Sequence, residues 1–162
     1  QGAILSVKLK YLPAWTEARR AHAKAYDAAL AGAPGISVVQ QAPYGKHVYH
    51  LYVVRVKERD AVIDALGKKE ISCGIHYPVP VHLQPAYAKL GYRKGDLPEA
   101  ERACAEALSL PMSPFLADEE RAAVVAAARK ARSEIDNTRR MGSTSTRDWG
   151  LGIGDWGLGI GR

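Results

Sequence analysis

The ten residues His47-Val48-Tyr49-His50-Leu51-Tyr52-Val53-Val54-Arg55-Val56 carry the clearest strand signal in the chain, with β-branched and aromatic side chains dense on both faces. A strand of that kind needs a packed layer against it, and helical patterns lie on either side. Pro13 suits a first helical turn, after which Trp15, Ala18, His22, Tyr26, Ala29 and Leu30 recur on one face until Gly32 and Pro34-Gly35 stop the helix. Asp60 to Lys69 reads as a helix with Val62, Ile63 and Leu66 inward. Ile71 to His76 predicts a second strand on which Ile71, Cys73 and Ile75 share a face. Pro98 to Leu108 is helical in pattern, with Leu97, Cys104 and Leu108 on one face, and Ser109 to Met112 is a short extended piece. A last helix opens at Asp118, where Glu119 and Glu120 favour its positive end, and runs to about Arg132. This order predicts a small α+β sandwich, helices against a short sheet.

A length of 162 residues allows one domain, or one domain plus a tail. No apolar run approaches the ~20 residues of a bilayer-spanning helix, so no membrane role is expected. No basic-then-apolar leader opens the chain, and Cys73 and Cys104 are too few for a disulfide framework and lack CxxC spacing. A cytoplasmic location is the expectation. The net charge of +6 invites a nucleic-acid reading, but the basic residues are spread out and nowhere interleave with aromatics as a stacking platform would. No nucleic-acid partner is expected.

Both ends stand apart. Gln1 to Leu12 is already in helical rhythm, through Ile4, Leu5, Leu9 and Leu12, without Met or a capping residue before it. It reads as the middle of a longer helix, and the chain as a fragment. At the other end Asp148 to Gly154 repeats letter for letter as Asp155 to Gly161, with glycine at every second position of the Trp-Gly-Leu-Gly-Ile-Gly run. Such a segment, behind the linker-like Met141 to Thr146, is expected to be disordered. The expected organisation is residues 1–32 as linking helix or helices, 33–132 as the α+β domain and 133–162 as a tail.

Chemical character concentrates in His76-Tyr77-Pro78-Val79-Pro80-Val81-His82-Leu83-Gln84-Pro85-Ala86-Tyr87. The segment begins where a strand is predicted to end, and its prolines present imidazole, phenol and amide groups at little ordering cost. It suits hydrogen bonding to a polyhydroxylated or phosphorylated ligand; equally, its Tyr and His could cap the domain edge. No metal site is expected. His76 and His82 have no third ligand at a recognisable spacing, and His47 and His50 fall on opposite faces of the predicted strand. No GxSxG occurs, and neither Ser6 nor Ser109 sits on a nucleophile elbow. Cys73 and Cys104 read as small buried hydrophobes.

Several ordered motifs resemble one family. Gln1 to Leu12 resembles the linking helix of DegT/DnrJ/StrS-type sugar aminotransferases. His47 to Val53, Gly74-Ile75-His76-Tyr77-Pro78-Val79-Pro80, His82 to Tyr87, Gly91-Tyr92 with Gly95 to Glu101, and Leu108 to Met112 are similar to that family's C-terminal part. The resemblance covers residues 1 to about 130. It implies a short, mostly antiparallel sheet packed with helices, like the small C-terminal domain of fold-type I pyridoxal-phosphate enzymes. It further implies a homodimer that moves an amino group, usually from glutamate, onto a nucleotide-linked keto sugar in amino-sugar, polysaccharide or antibiotic-sugar biosynthesis. The cofactor, pyridoxal 5'-phosphate, is held in such enzymes by a lysine of the large domain, which has no counterpart here.

A Schiff-base lysine needs its pKa lowered by burial or a cationic neighbour. Lys8, Lys10 and Lys24 lie on charged helix faces, and Lys68, Lys69 and Lys94 adjoin turns. No catalytic residue is therefore assigned, and no cofactor is expected on this chain alone. The motif implies His76 and Tyr77, with His50 and Gln84, as substrate-pocket contacts; it gives no warrant for Arg55 as a receptor of the donor carboxylate. The expectation is the C-terminal part of a sugar aminotransferase, inactive alone. The alternatives are a free-standing binding or dimerisation module and a non-functional remnant.

Overall fold

The computed structural model describes residues 1–144 of the chain. The tandem Gly-rich repeat lies outside the described residues. Helix α1 (Gly2–Leu9) falls within the helical run read from the first twelve residues, and helix α2 (Leu12–Leu30) is the one read from Pro13 onward. Pro13 explains the break, since its ring would clash with the carbonyl four residues back, at Leu9, where α1 ends. On α2, Ala23, Tyr26 and Leu30 are buried at helical spacing. Gly32 and Gly35 then turn the chain with φ of +68° and +70°, and a side chain at Gly35 would collide with Arg132.

Among the described residues, three antiparallel strands form a sheet in the order β1-β2-β3: β1 (Ile36–Val38), β2 (Tyr52–Val56) and β3 (Ala107–Leu110). Ile36 faces Val56 across one ladder, and Tyr52 faces Leu110 across the other. The long predicted strand is thus only its second half. Its first half has no neighbour to pair with, because β1 and β3 together reach only residues 52–56, and Tyr49 turns the backbone left-handed with φ of 48°. His47 and His50 accordingly do not alternate across a strand. β1 carries no strong pattern in the sequence and forms because β2 offers it an edge.

Helix α3 (Arg59–Gly67) follows, shorter at its end than predicted, with Val62 and Leu66 buried. Residues 71–76 do not form the second strand. They join β3 through one bridge, with hydrogen bonds from Gly74 N to Ser109 O (3.1 Å) and from Ser109 N to Gly74 O (2.8 Å). Helix α4 (Pro98–Glu106) runs directly into β3, and Pro111, which has no N–H to donate, follows it. α4 is two residues shorter than its pattern suggested. Leu108 belongs to β3 and the core, and does not share a helical face with Leu97 and Cys104.

Helix α5 (Asp118–Thr144) outruns the expected end near Arg132, so residues 133–144 are helical where a tail was expected. Pairs one turn apart support the extension: Lys130 with Glu134 at 3.6 Å, and Arg132 with Asp136. Glu58 reaches both Arg132 and Arg139 from the start of α3. The expected α+β class is the one the chain adopts. Tyr52, Val54 and Val56 turn toward α2, α3 and α5, where they meet Tyr26, Leu30, Val62, Leu66 and Val124. Tyr26 stacks on Tyr52 with ring centroids 4.7 Å apart and donates to the Pro111 carbonyl at 3.0 Å. Tyr52 donates to Asp27 at 2.7 Å.

Candidate functional site

Residues 76–97 form a loop that leaves the sheet beside β3 and meets that strand at His76. The chain enters this loop at His76, after the bridge to β3, and leaves it into α4. His76 Nδ1 lies 2.9 Å from the Ser109 hydroxyl. Ser109 alternates with Leu108 and Leu110 on β3, so its hydroxyl is on the opposite side from the core, yet the residue is only 5% exposed. The ring packs over Gly74, where a Cβ would come within 2.5 Å of its Cε1. The next side chain, Tyr77, meets that ring edge-on at 5.5 Å and is 70% exposed.

Prolines then fold the loop back on itself through two short 3-10 turns, Val81–Leu83 and Pro85–Leu90. This return brings Gln84 beside Tyr77. With Pro78, Val79, Pro85 and Ala86 they line an open pocket of about 370 Å³. Phenol and amide side by side on a proline frame can hydrogen-bond hydroxyls or phosphate oxygens while the prolines provide an apolar floor.

Of the four residues named from sequence, Tyr77 and Gln84 share this pocket, and His76 adjoins Tyr77 without being part of its lining. His50 is not gathered with them. It is exposed ahead of β2 and makes no side-chain hydrogen bond among the described residues. Arg55 is occupied by Glu106, at 2.6 Å.

His82 has a different part. It is 7% exposed, with Nε2 3.1 Å from Glu101 on α4, and Glu101 also accepts from the Gly95 N–H at 2.7 Å. The Gly95 N–H, seconded by His82, holds the Glu101 carboxyl below the usual glutamate range. Tyr92 lies edge-on to the His82 ring at 6.1 Å. Behind this tie an apolar groove of about 530 Å³ opens between the loop and α4, lined by Val81, Tyr87, Leu90, Leu97 and Cys104. Cys104 is half-buried in that groove instead of in the core. Cys73 packs at the core's edge, and burial pushes its thiol pKa up.

Sequence reading did not find Ser109 or Glu101 as partners of the loop. The signal at Ser109 was a lone hydroxyl between two leucines of a strand; Glu101 looked like ordinary first-turn acid. A cofactor held as a Schiff base requires an enclosed lysine, and every lysine among the described residues is exposed. These residues do not offer pyridoxal phosphate a Schiff-base site on their own. Among the described residues no cluster of three metal-ligating side chains occurs, and no helix is long and apolar enough to cross a membrane.

The sequence model of the DegT/DnrJ/EryC1/StrS aminotransferase family matches residues 1–129. A pleiotropic regulatory protein of Geobacillus stearothermophilus is 47% identical over 77% of this chain and 34% of its own length. The dTDP-3-amino-3,4,6-trideoxy-alpha-D-glucose transaminase of Streptomyces venezuelae is 40% identical over 84% of this chain and 36% of its own. Among solved structures, Streptomyces venezuelae DesV in complex with a ketimine intermediate superposes with a TM-score of 0.77 at 41% identity, over 80% of this chain and 35% of that one. The chain spans about a third of the length of the curated relatives it matches. By this match and these identities, the chain belongs to the DegT/DnrJ/EryC1/StrS aminotransferase family.

Proposed function

We propose that the chain is the C-terminal part of a pyridoxal-phosphate-dependent aminotransferase that moves an amino group from glutamate to a nucleotide-linked keto sugar. The observation that carries this reading is the family match over residues 1–129, which takes in the whole 76–97 loop. The transaminase relative named above makes a 3-amino sugar on dTDP, which favours a dTDP-linked 3-keto sugar as the substrate class. On this reading residues 1–32 link to a large domain that supplies the cofactor lysine, residues 33–132 are the small domain, and the whole works as a cytoplasmic homodimer.

The division of labour suits what the small domain has. His76, Tyr77 and Gln84 offer an imidazole, a phenol and an amide on a stiff loop, which suits binding and orienting a sugar or its phosphates. The chemistry of the amino group stays with the cofactor lysine. Exposed Ile4, Leu5, Val7 and Leu9 on α1, each 57–65% accessible, support a covering surface from the remainder of the enzyme or a second subunit. His50 is retained as a proposed contact only through the motif.

The test is amino transfer from ¹⁵N-glutamate to a dTDP-linked 3-keto sugar, run on the 162-residue chain and on the same chain joined to a large domain. Label should enter the sugar only when the large domain is present. Absence of transfer from the joined protein, with cofactor bound, would contradict the reading.

A further inference from the structure

We infer that Ser109 and Gly74 form a seat that fixes the His76 ring by its Nδ1 edge, making Ser109 a positioning residue for substrate binding. The inference rests on the reading of His76 as a substrate contact and adds to it which ring atom does the work.

Three observations converge on one ring. Ser109 is a buried polar residue on a strand, and its hydroxyl lies 2.9 Å from His76 Nδ1. A buried hydroxyl left unpaired is costly, so this partnership constrains the ring as much as it satisfies the serine. Gly74 leaves the space beneath the ring: a Cβ there would lie 2.5 Å from His76 Cε1 and 3.2 Å from Nδ1, but 3.6 Å from Nε2. The Nδ1–Cε1 edge is therefore the seated edge. Nε2 makes no hydrogen bond among the described residues and is the atom left for a ligand.

The seat is also stiff. Gly74 and Ser109 exchange two backbone hydrogen bonds, at 3.1 and 2.8 Å, so hydroxyl and ring floor move as one piece of sheet. A serine on a paired strand holds an imidazole more sharply than a loop residue would, because its own rotamer is restricted by burial. Tyr77 follows directly, so the same seat sets where the phenol starts.

Two measurements test this. In the 162-residue chain, ¹H–¹⁵N long-range spectra of the histidine rings should show the His76 Nδ1 resonance moving on Ser109→Ala, while those of His22, His47, His50 and His82 stay in place. An unmoved His76 resonance would overturn the seat whatever the enzyme does. In the aminotransferase assay on the joined protein, Ser109→Ala should raise KM for the dTDP-linked sugar about tenfold, the scale of one hydrogen bond's worth of orientation, with kcat within about twofold. Gly74→Ala should reproduce this with the hydroxyl intact, and Ser109→Thr should restore KM. If His76→Gln raises KM and Ser109→Ala does not, the seat is overturned and the functional reading stands. If neither changes KM, His76 is not a substrate contact, and the positioning role of Ser109 falls with it while the aminotransferase reading stands. Equal loss of kcat and kcat/KM together with a lower melting temperature would mark Ser109 as structural only, and overturn the inference.

Discussion

The two sides of the sheet treat similar side chains in opposite ways. On the helix side, Tyr26, Leu30, Val54, Val62, Leu66 and Leu108 are sealed between β2, β3 and helices α2, α3 and α5. On the loop side, Tyr77, Val79, Val81, Tyr87, Leu90 and Tyr92 remain exposed. The first region is held by apolar burial, at roughly 25 cal/mol for each Å² removed from water. The second is held by prolines and two histidine ties, His76 to Ser109 and His82 to Glu101. Order in the loop therefore depends on a few polar contacts, one to β3 and one to α4, and its apolar surface is left exposed.

The largest expected effect lies in the sealed layer. Leu108→Ala removes a fully buried side chain from the strand that also carries Ser109, and should cost about 2–5 kcal/mol of unfolding free energy by urea titration. A loss below about 1 kcal/mol would mean that the two sides are not so different as described.

Alkaline pH probes the same layer through its stacked tyrosines. Burial pushes the Tyr26 hydroxyl up to about 12, with the nearby Arg121 partly opposing, and burial together with the Asp27 hydrogen bond also raises Tyr52. The folded state thus favours the neutral phenol over its ordinary value of 10.0. The linked stability is complete below pH 10, and the share due to Tyr26 is lost as pH rises to about 12. Urea midpoints should fall across that window, and Tyr26→Phe should fall less steeply there. A midpoint flat to pH 12 would contradict the burial of these hydroxyls.

A smaller and more local effect is expected from the loop tie. Glu101→Gln should leave the urea midpoint nearly unchanged but speed trypsin cleavage at Lys89, Arg93 and Lys94, all exposed in the loop. The Glu101 carboxyl is held below its ordinary range, so the wild-type tie persists above that range and weakens as pH falls through the lowered value. Cleavage rates that do not respond to Glu101 would assign the loop's order to its prolines alone.

The sequence was most legible where one pattern ran uninterrupted. The faces of α2 and α3 and the second half of the 47–56 run follow directly from side-chain periodicity. It was least legible where pairing partners decide the outcome. Tyr49 and His50 have strand-forming neighbours but no strand alongside, while Ile36–Val38 lacks a strong pattern and pairs because β2 is there. α4 and β3 abut without a breaker between them, so Leu108 read as helix and is strand. At the site, the segment holding His76, Tyr77 and Gln84 was legible as chemically distinct, because prolines, imidazole and phenol crowd it at a predicted strand end. Ser109 was not, because its role depends on a contact 33 residues away in sequence.

Under the proposed function, the face carried by Tyr77 and Gln84 is the one that binds the nucleotide-linked sugar. The most direct measurement is the KM for a dTDP-linked 3-keto sugar, and separately for glutamate, in the joined aminotransferase carrying Tyr77→Ala with Gln84→Ala. Removing two hydrogen-bonding groups from one pocket should raise the sugar KM at least about tenfold and leave the glutamate KM unchanged. An unchanged sugar KM, or equal rises for both substrates, would contradict the account.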